Sequence, residues 1–219
     1  MEALFADVAA VYDRMNRVLS LGLDRAWRER AAACVETPPR RVLDVASGTG
    51  DFAFALARRF PAAAVEGVDS TPAMLEIARA KDAAARVSFR VDDAQRLATA
   101  ADASCDLCSC AFGFRNFPDK RAALAAAARV LAPGGELLVL EFFRPRSRVL
   151  GLLTAAWVAA LARLFARRHA AAYAHLRASM LSTASEEEFA AMAAEAGFAL
   201  RARRFFFPCC TCLAFRVRK

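Results

Sequence analysis

The chain has 219 residues, of which 58% are apolar, enough to fill one ordinary core without disulfide staples. A formal charge of +8 suits an anionic partner, and the basic residues are spread along the chain rather than gathered in one tract. Seven unevenly spaced cysteines and an N-terminus without a basic then apolar leader argue against a secreted disulfide framework and predict a reducing, cytoplasmic setting.

In chain order, short apolar runs alternate with Ala-rich helical segments, as in repeated βαβ units of an α/β domain with a parallel sheet. The predicted strands are 41–47 (RVLDVAS), 63–69 (AAVEGVD), 86–94 (RVSFRVDDA), 105–112 (CDLCSCAF) and 135–143 (GELLVLEFF), then a final pair at 199–207 and 212–219. Helices are predicted over 51–60, over 71–83 with Thr71 as N-cap and Pro72 at its first position, and over 119–132. Residues 149–182 show no strand-like alternation and read as a helical insertion; Ser185 and Gly197 then start and stop a further helix. There is no internal repeat and no Gly/Ser linker, so the whole chain reads as one domain, with a helical cover over about residues 1–35 and a helical lid over about 146–182. Within that insertion, 149–162 (VLGLLTAAWVAALA) is flanked by basic residues but falls short of the about 20 apolar residues that cross a bilayer.

The stretch VLDVASGTGDFA at 42–53 is a buried strand running into a glycine turn and a helix. Gly48, Gly50 and Ala53 satisfy G-x-G-x-x-[GA], the turn that can hold a dinucleotide pyrophosphate at a helix N-terminus. Asp44 and Asp51 put negative charge where a phosphate would lie, so a cationic ligand fits better. S-adenosylmethionine carries an ammonium, a sulfonium, a ribose diol and an adenine, and no phosphate. Gly48 and Gly50 would let the backbone approach its methionyl and ribose parts. Asp44 can anchor the ammonium. Asp69, at the end of the second predicted strand, can accept from both ribose hydroxyls. Asp93 and Ala94 can face the adenine, with Asp92 as the weaker neighbour. The bland alternatives are a helix-start aspartate at 69 and surface-loop aspartates at 92 and 93.

With FADVAAVYDRMNRVLSLGLDRAWR at 5–28, VLDVASGTGDFA, GVDSTPAML at 67–75, DDA at 92–94, AFGFRNFPDK at 111–120, RVLAPGGELLVLEFFRP at 129–145 and AYAHLRASM at 172–180, the chain resembles the ubiquinone/menaquinone C-methyltransferases of the UbiE/MenG type, within the class I methyltransferases. The YDRMN, GFRN and LEFFRP blocks carry this more specifically than the glycine turn. The resemblance implies a Rossmann-like seven-stranded sheet, mostly parallel with an antiparallel final strand and helices on both faces. It implies S-adenosyl-L-methionine as methyl donor, contacted by Thr49, Asp69, Asp93 and Ala94 with Ala111 on the pocket wall, and an active site that includes Tyr12, Arg115 and Asn116. The chain departs from the family at Leu97, Ala98 and Thr99, where members usually carry Leu-Pro-Phe, at an alanine before RVL where an acidic residue is common, and at PCCTC (208–212) in place of a glycine-rich turn.

The implied reaction is C-methylation of a prenylated quinol, demethylmenaquinol to menaquinol being favoured over the ubiquinone precursor. Arg115 is too basic to take a proton, but its guanidinium can stabilise a developing phenolate, and Asn116 can orient the ring. Tyr12, Asp13, His169 and His175 are the candidate bases, acting directly or through water. The apolar insertion, through Leu152, Leu153, Trp157 and Leu161, can cover the tail, contact a membrane surface, or simply complete the core. Three alternatives stay open at this point. One is a cysteine-bound metalloid acceptor, as in arsenite methyltransferases of the same fold, although the cysteine spacing is not that of a usual zinc site and no metal is expected. A non-catalytic binding subunit is the second, against which Gly48, Gly50, Asp69 and Arg115 speak. An RNA-binding module is the third, and without a basic-aromatic face no nucleic acid partner is expected. A homodimer is left open.

Overall fold

The run Arg41–Val45 forms β1 near the middle of the sheet, with both faces covered. Leu43 and Val45 enter one core cluster and Val42 the other, so the strand is buried on both faces, Asp44 included, rather than alternating in and out. The computed structural model describes residues 6, 9–144, 151, 152, 156, 157, 160, 178–180 and 182–218. Within them the other strands are β2 (Ala64–Asp69), β3 (Val87–Val91), β4 (Cys105–Ala111), β5 (Leu131–Glu141), β6 (Phe198–Phe206) and β7 (Cys210–Val217). They make one seven-stranded sheet in the order β3-β2-β1-β4-β5-β7-β6. Pairings from β3 across to β5 are parallel, and β7 runs antiparallel to both β5 and β6. The strand order reverses between β1 and β4, and ligands of such sheets bind outside the carboxyl ends of the strands at that reversal.

The helices are α1 (Tyr12–Leu19), α2 (Asp24–Ala32), α3 (Asp51–Arg59), α4 (Pro72–Lys81), α5 (Lys120–Val130) and α6 (Glu186–Glu195). Trp27 and Ala31 of α2 pack with Phe52 and Leu56 of α3 on one face of the sheet. Leu124 and Ala127 of α5 pack with Phe189 of α6 on the other. Phe189 is the hub of that second layer, its ring centroid 5.0 Å from Phe114 and 5.4 Å from Phe143. The helix starts are chemically marked. Asp119 accepts from the Ala122 amide at 2.9 Å, and Ser185 and Glu188 form a reciprocal capping box. Gly197, in the left-handed region, ends α6.

Several boundaries differ from the sequence expectation. β5 starts at Leu131, which pairs with Cys105 before a register shift, and it stops at Glu141 because Phe142 and Phe143 leave the sheet for the core. β7 takes in Cys210 and Thr211, paired to Phe206 and Phe205. Thr71 is the N-cap residue of α4 but makes no side-chain cap bond; Asp69 accepts the Thr71 amide instead, at 2.9 Å. Most of the expected lid, including Leu153, Leu161, His169, Tyr173 and His175, lies outside the described residues. Leu152 and Trp157 are described, and both are exposed. No helix among the described residues is long and apolar enough to cross a membrane.

Candidate active site

A cavity of about 500 Å³ opens at the carboxyl ends of β1, β2 and β4, beside the strand-order reversal. Ala46 and Gly48 reach it from the β1 turn, Asp69 from the end of β2, Asp93 and Ala94 from beyond β3, and Ala111 and Phe112 from the end of β4. Tyr12 of α1 and Asn116 complete the wall.

The two glycines of the turn have different jobs. Gly48 (φ +54°) has open space where a Cβ would point, the nearest atom being Tyr12 Cε1 at 4.0 Å, so it keeps backbone clear on the cavity side. A Cβ on Gly50 (φ +84°) would come within 2.9 Å of both the Phe54 and Phe89 rings. Gly50 therefore serves packing beneath the turn rather than approach to a ligand, the role expected from the sequence. The Gly48 amide donates to Asp69 Oδ2 and the Thr71 amide to Oδ1, both at 2.9 Å, which fixes the carboxylate at the cavity edge.

Asp44 is 1% exposed. Its Oδ1 accepts from Ser109 Oγ at 2.6 Å, while Oδ2 is buried with no partner among the described residues, as is Ser47 Oγ. Both residues line a small side chamber next to the main cavity, together with Tyr12, Gly48 and Thr49. Burial pushes the Asp44 carboxyl up to about 7, against the lowering effect of the Ser109 hydrogen bond. Arg28 also lines the chamber and its charge acts on Asp44, but its guanidinium is held by Asp24 at 2.6 Å, so the buried carboxylate oxygen beside the glycine turn is still a receptor for a cationic donor. The methionyl end of S-adenosylmethionine has that chemistry, so the residues present fit it.

Thr49 is buried and donates through Oγ1 to Asp13 Oδ1 at 2.5 Å. Lys81 bridges Asp13 (2.5 Å), Asp51 (2.8 Å) and the Thr49 carbonyl (3.1 Å), so the negative charge at Asp51 has a local partner. This network ties α1 to the turn and to α4, and it engages Asp13, one of the candidate bases. Nothing in the spacing of Lys81 announced it.

Beyond β3 the two adjacent aspartates divide the work. Asp92 is buried and accepts from the amides of Asp93 (2.8 Å), Ala98 (3.1 Å) and Thr99 (3.0 Å) and from the Thr99 hydroxyl. Burial alone would raise its carboxyl, but these donors hold it below the usual range. Asp92 thus shapes the loop. A proline at position 98 could not donate, and the chain places Ala98 and Thr99 there. Asp93 accepts from the Gln95 amide at 2.9 Å and lines the cavity with Ala94.

Arg115 is not among the residues lining the cavity. Its side chain is 7% exposed and its Nη1 lies 2.9 Å from Oε1 of the fully buried Glu141. The same Nη1 donates to the Phe112 carbonyl, to which Asn116 Nδ2 also donates at 3.3 Å. Direct contact between the Arg115 guanidinium and a bound ring, the role expected from the sequence, is not what these distances give. The arginine holds Phe112, and Phe112 lines the cavity.

Phe112 (φ +60°) and Ala46 (φ +54°), at the ends of neighbouring strands β4 and β1, both adopt the left-handed conformation that non-glycine residues rarely take. Gly113 lets the two ends meet, since its Cβ would lie 2.6 Å from Cys110 Sγ and 2.9 Å from Ala46 Cβ. None of these was singled out from sequence. Glu141 had a visible signal, an acid inside the apolar LEFF run.

The cysteines do not converge on the cavity. Cys105, Cys108, Cys110, Cys210 and Cys212 are buried, and burial drives Cys108, Cys110 and Cys210 well above the usual thiol range. Cys34 is the exception, lowered to about 7 by the Cys212 thiol, with burial opposing and Arg204 assisting. Among the described residues no group of three His, Cys, Asp or Glu is placed to hold a metal ion.

Sheet order, glycine turn and cavity together define the Rossmann-like fold of the class I methyltransferases. A solved SAM-dependent methyltransferase from Thermotoga maritima shares the fold, with a TM-score of 0.70 over 100% of both chains at 19% identity. The model of the ubiE/COQ5 methyltransferase family matches residues 1–208, and the chain belongs to that family. It is 45% identical over 213 residues to a demethylmenaquinone methyltransferase from Deinococcus radiodurans, covering 94% of this chain and 88% of that one. A ubiquinone/menaquinone biosynthesis C-methyltransferase UbiE from Geobacter sulfurreducens is 37% identical over 211 residues, covering 92% and 81%.

Proposed function

We propose that the cavity holds S-adenosylmethionine and that the chain methylates a ring carbon of a reduced, prenylated quinol, demethylmenaquinol before the ubiquinone precursor. The observation that carries the donor is the unpartnered Asp44 Oδ2 beside the Gly48 turn. The acceptor rests on the names of the relatives, above all the 45% identical demethylmenaquinone methyltransferase.

In this reading Asp44 and Ser47 receive the donor's ammonium, the Gly48 backbone runs along its methionyl part, and Thr49 keeps the turn in place through Asp13. Asp69, held at the cavity edge by the Gly48 and Thr71 amides, accepts from the ribose hydroxyls. Asp93 accepts from the adenine amine, and Ala94 and Ala111 give the flat apolar walls. The donor supplies an electrophilic methyl on a sulfonium. Asn116 and Tyr12, two of the polar side chains that line the cavity, orient the quinol hydroxyls. The ring carbon would become nucleophilic as a quinol hydroxyl gives its proton through a water held by Tyr12 to solvent; the carbon would take the methyl as the methyl–sulfur bond breaks, the electron pair staying on the sulfur as a neutral thioether, and the ring proton would then leave to water as aromaticity returns. Arg115 acts through Phe112: with Glu141 it fixes the strained cavity wall. It is a positioning residue, acting through the single Nη1 that meets both Glu141 and the Phe112 carbonyl.

Isothermal titration with S-adenosylmethionine tests the donor half. Micromolar binding by the parent chain, lost in Asp69→Ala, supports it; undiminished binding by that variant contradicts it.

A further inference from the structure

The register fixes where the β6–β7 hairpin points. Glu141 at the end of β5 pairs with Thr211, and Phe206 pairs with Cys210. The turn at Phe207 to Cys209 therefore lies at the carboxyl edge of the parallel strands, the edge that carries the cavity. Phe206 is buried, but its neighbours Phe205 and Phe207 are 56% and 77% exposed. The tip is anchored to the cavity wall through rings. Trp27 Nε1 donates to the Phe207 carbonyl at 3.1 Å, Trp27 meets Phe142 edge-on at 6.0 Å, and Phe142 stacks at 4.8 Å on Phe112.

A second strip of apolar surface lies just past the far end of α1. Leu21 and Leu23, between α1 and α2, are exposed, and so is Trp157, whose indole donates to the Leu19 carbonyl at 3.2 Å. α1 is the helix that carries Tyr12 into the cavity wall. Five of the eight exposed large apolar side chains among the described residues thus sit on the β6–β7 tip or at and beside the end of α1, the two elements that border the cavity through Phe112 and Tyr12. Arg14 and Arg17 on α1 and Arg204 on β6 are exposed, and none pairs with a carboxylate among the described residues. Aromatic tips flanked by unpaired arginines match the boundary of an anionic bilayer, where rings enter the headgroup layer and cations meet lipid phosphates.

We propose that this rim docks on an anionic lipid surface, with Phe205 and Phe207 entering the interface and Arg14, Arg17 and Arg204 over the phosphates, so that the cavity faces the lipid. Its purpose rests on the prenylated-quinol reading, since the tail of such an acceptor lies in the bilayer. Its test does not. The purified chain is mixed with vesicles of phosphatidylcholine and phosphatidylglycerol, or of phosphatidylcholine alone, and the bound fraction is measured by flotation. Binding to the anionic vesicles is expected, weakened about tenfold or more by Phe205→Ser with Phe207→Ser, because each ring withdraws apolar area from water. A separate Phe207→Trp variant reports directly: anionic vesicles shift its added emission to the blue beyond any shift of the parent. Absence of vesicle binding by the parent, equal binding by the double variant, or no added shift overturns the proposal. Vesicle binding without methyl transfer to any quinol would overturn the acceptor and leave the docking surface standing.

Discussion

The Arg115 guanidinium and the Glu141 carboxylate form a buried ion pair 2.9 Å apart directly behind the Phe112 wall of the cavity. Arg115→Ala strands the Glu141 charge in the core and is expected to cost about 3–5 kcal/mol in urea denaturation. Donor binding is expected to stay near that of the parent while turnover falls, because Phe112 loses its support. Adding Glu141→Gln should recover part of the stability without the turnover; full turnover in Arg115→Ala would show that the pair does not position the site.

Asp69 is fixed at the cavity edge by the Gly48 and Thr71 amides, both at 2.9 Å, where a carboxylate can take the ribose hydroxyls. Asp69→Ala is expected to weaken S-adenosylmethionine binding by about a hundredfold or more, the sum of two charge-assisted hydrogen bonds and a loosened turn. Calorimetric titration of the folded variant reads this directly.

Asp44 predicts a pH dependence with a definite sign. Burial raises its carboxyl from about 3.8 to about 7, so the folded chain holds this proton more tightly than the unfolded chain does. Stability from this group is therefore full below about pH 4 and declines as pH rises toward 7, then levels off. Donor affinity runs the other way. An ammonium needs the ionised carboxylate, so the dissociation constant should rise up to about tenfold per unit as pH falls below 7. Asp44→Asn is expected to flatten both profiles.

Gly48→Ala and Gly50→Ala separate approach from packing. Both place a side chain in the left-handed region, at a cost of about 1–2 kcal/mol. Gly50→Ala also presses on Phe54 and Phe89 and is expected to lose about 1–3 kcal/mol more in thermal or urea melts. Gly48→Ala should be the milder in stability and the more damaging to donor binding.

Much of this molecule is legible in its sequence because the central strands are apolar on both faces and the helix starts carry their own caps, as at Asp119 and Ser185. The glycine turn, Asp69 and Asp93 were legible for the same reason: they end strands, and strand ends make the site of a parallel sheet. What periodicity cannot show is which polar side chain faces inward. Asp92 and Asp93 are adjacent and both border the cavity, yet loop geometry engages the Asp92 carboxylate with the Ala98 and Thr99 amides, which no local pattern shows. Arg115 looked like a catalytic cation because its burial partner, Glu141, lies on another strand. The left-handed Phe112 and Ala46 follow from tertiary packing around Gly113, which no local pattern encodes.

The central claim is tested most directly by incubating the purified chain with S-adenosylmethionine and reduced demethylmenaquinol in detergent and weighing the quinone by mass spectrometry. A gain of about 14 Da, one CH₂ on the ring, is the predicted result. An unchanged quinone, with donor binding confirmed in the same preparation, would contradict it.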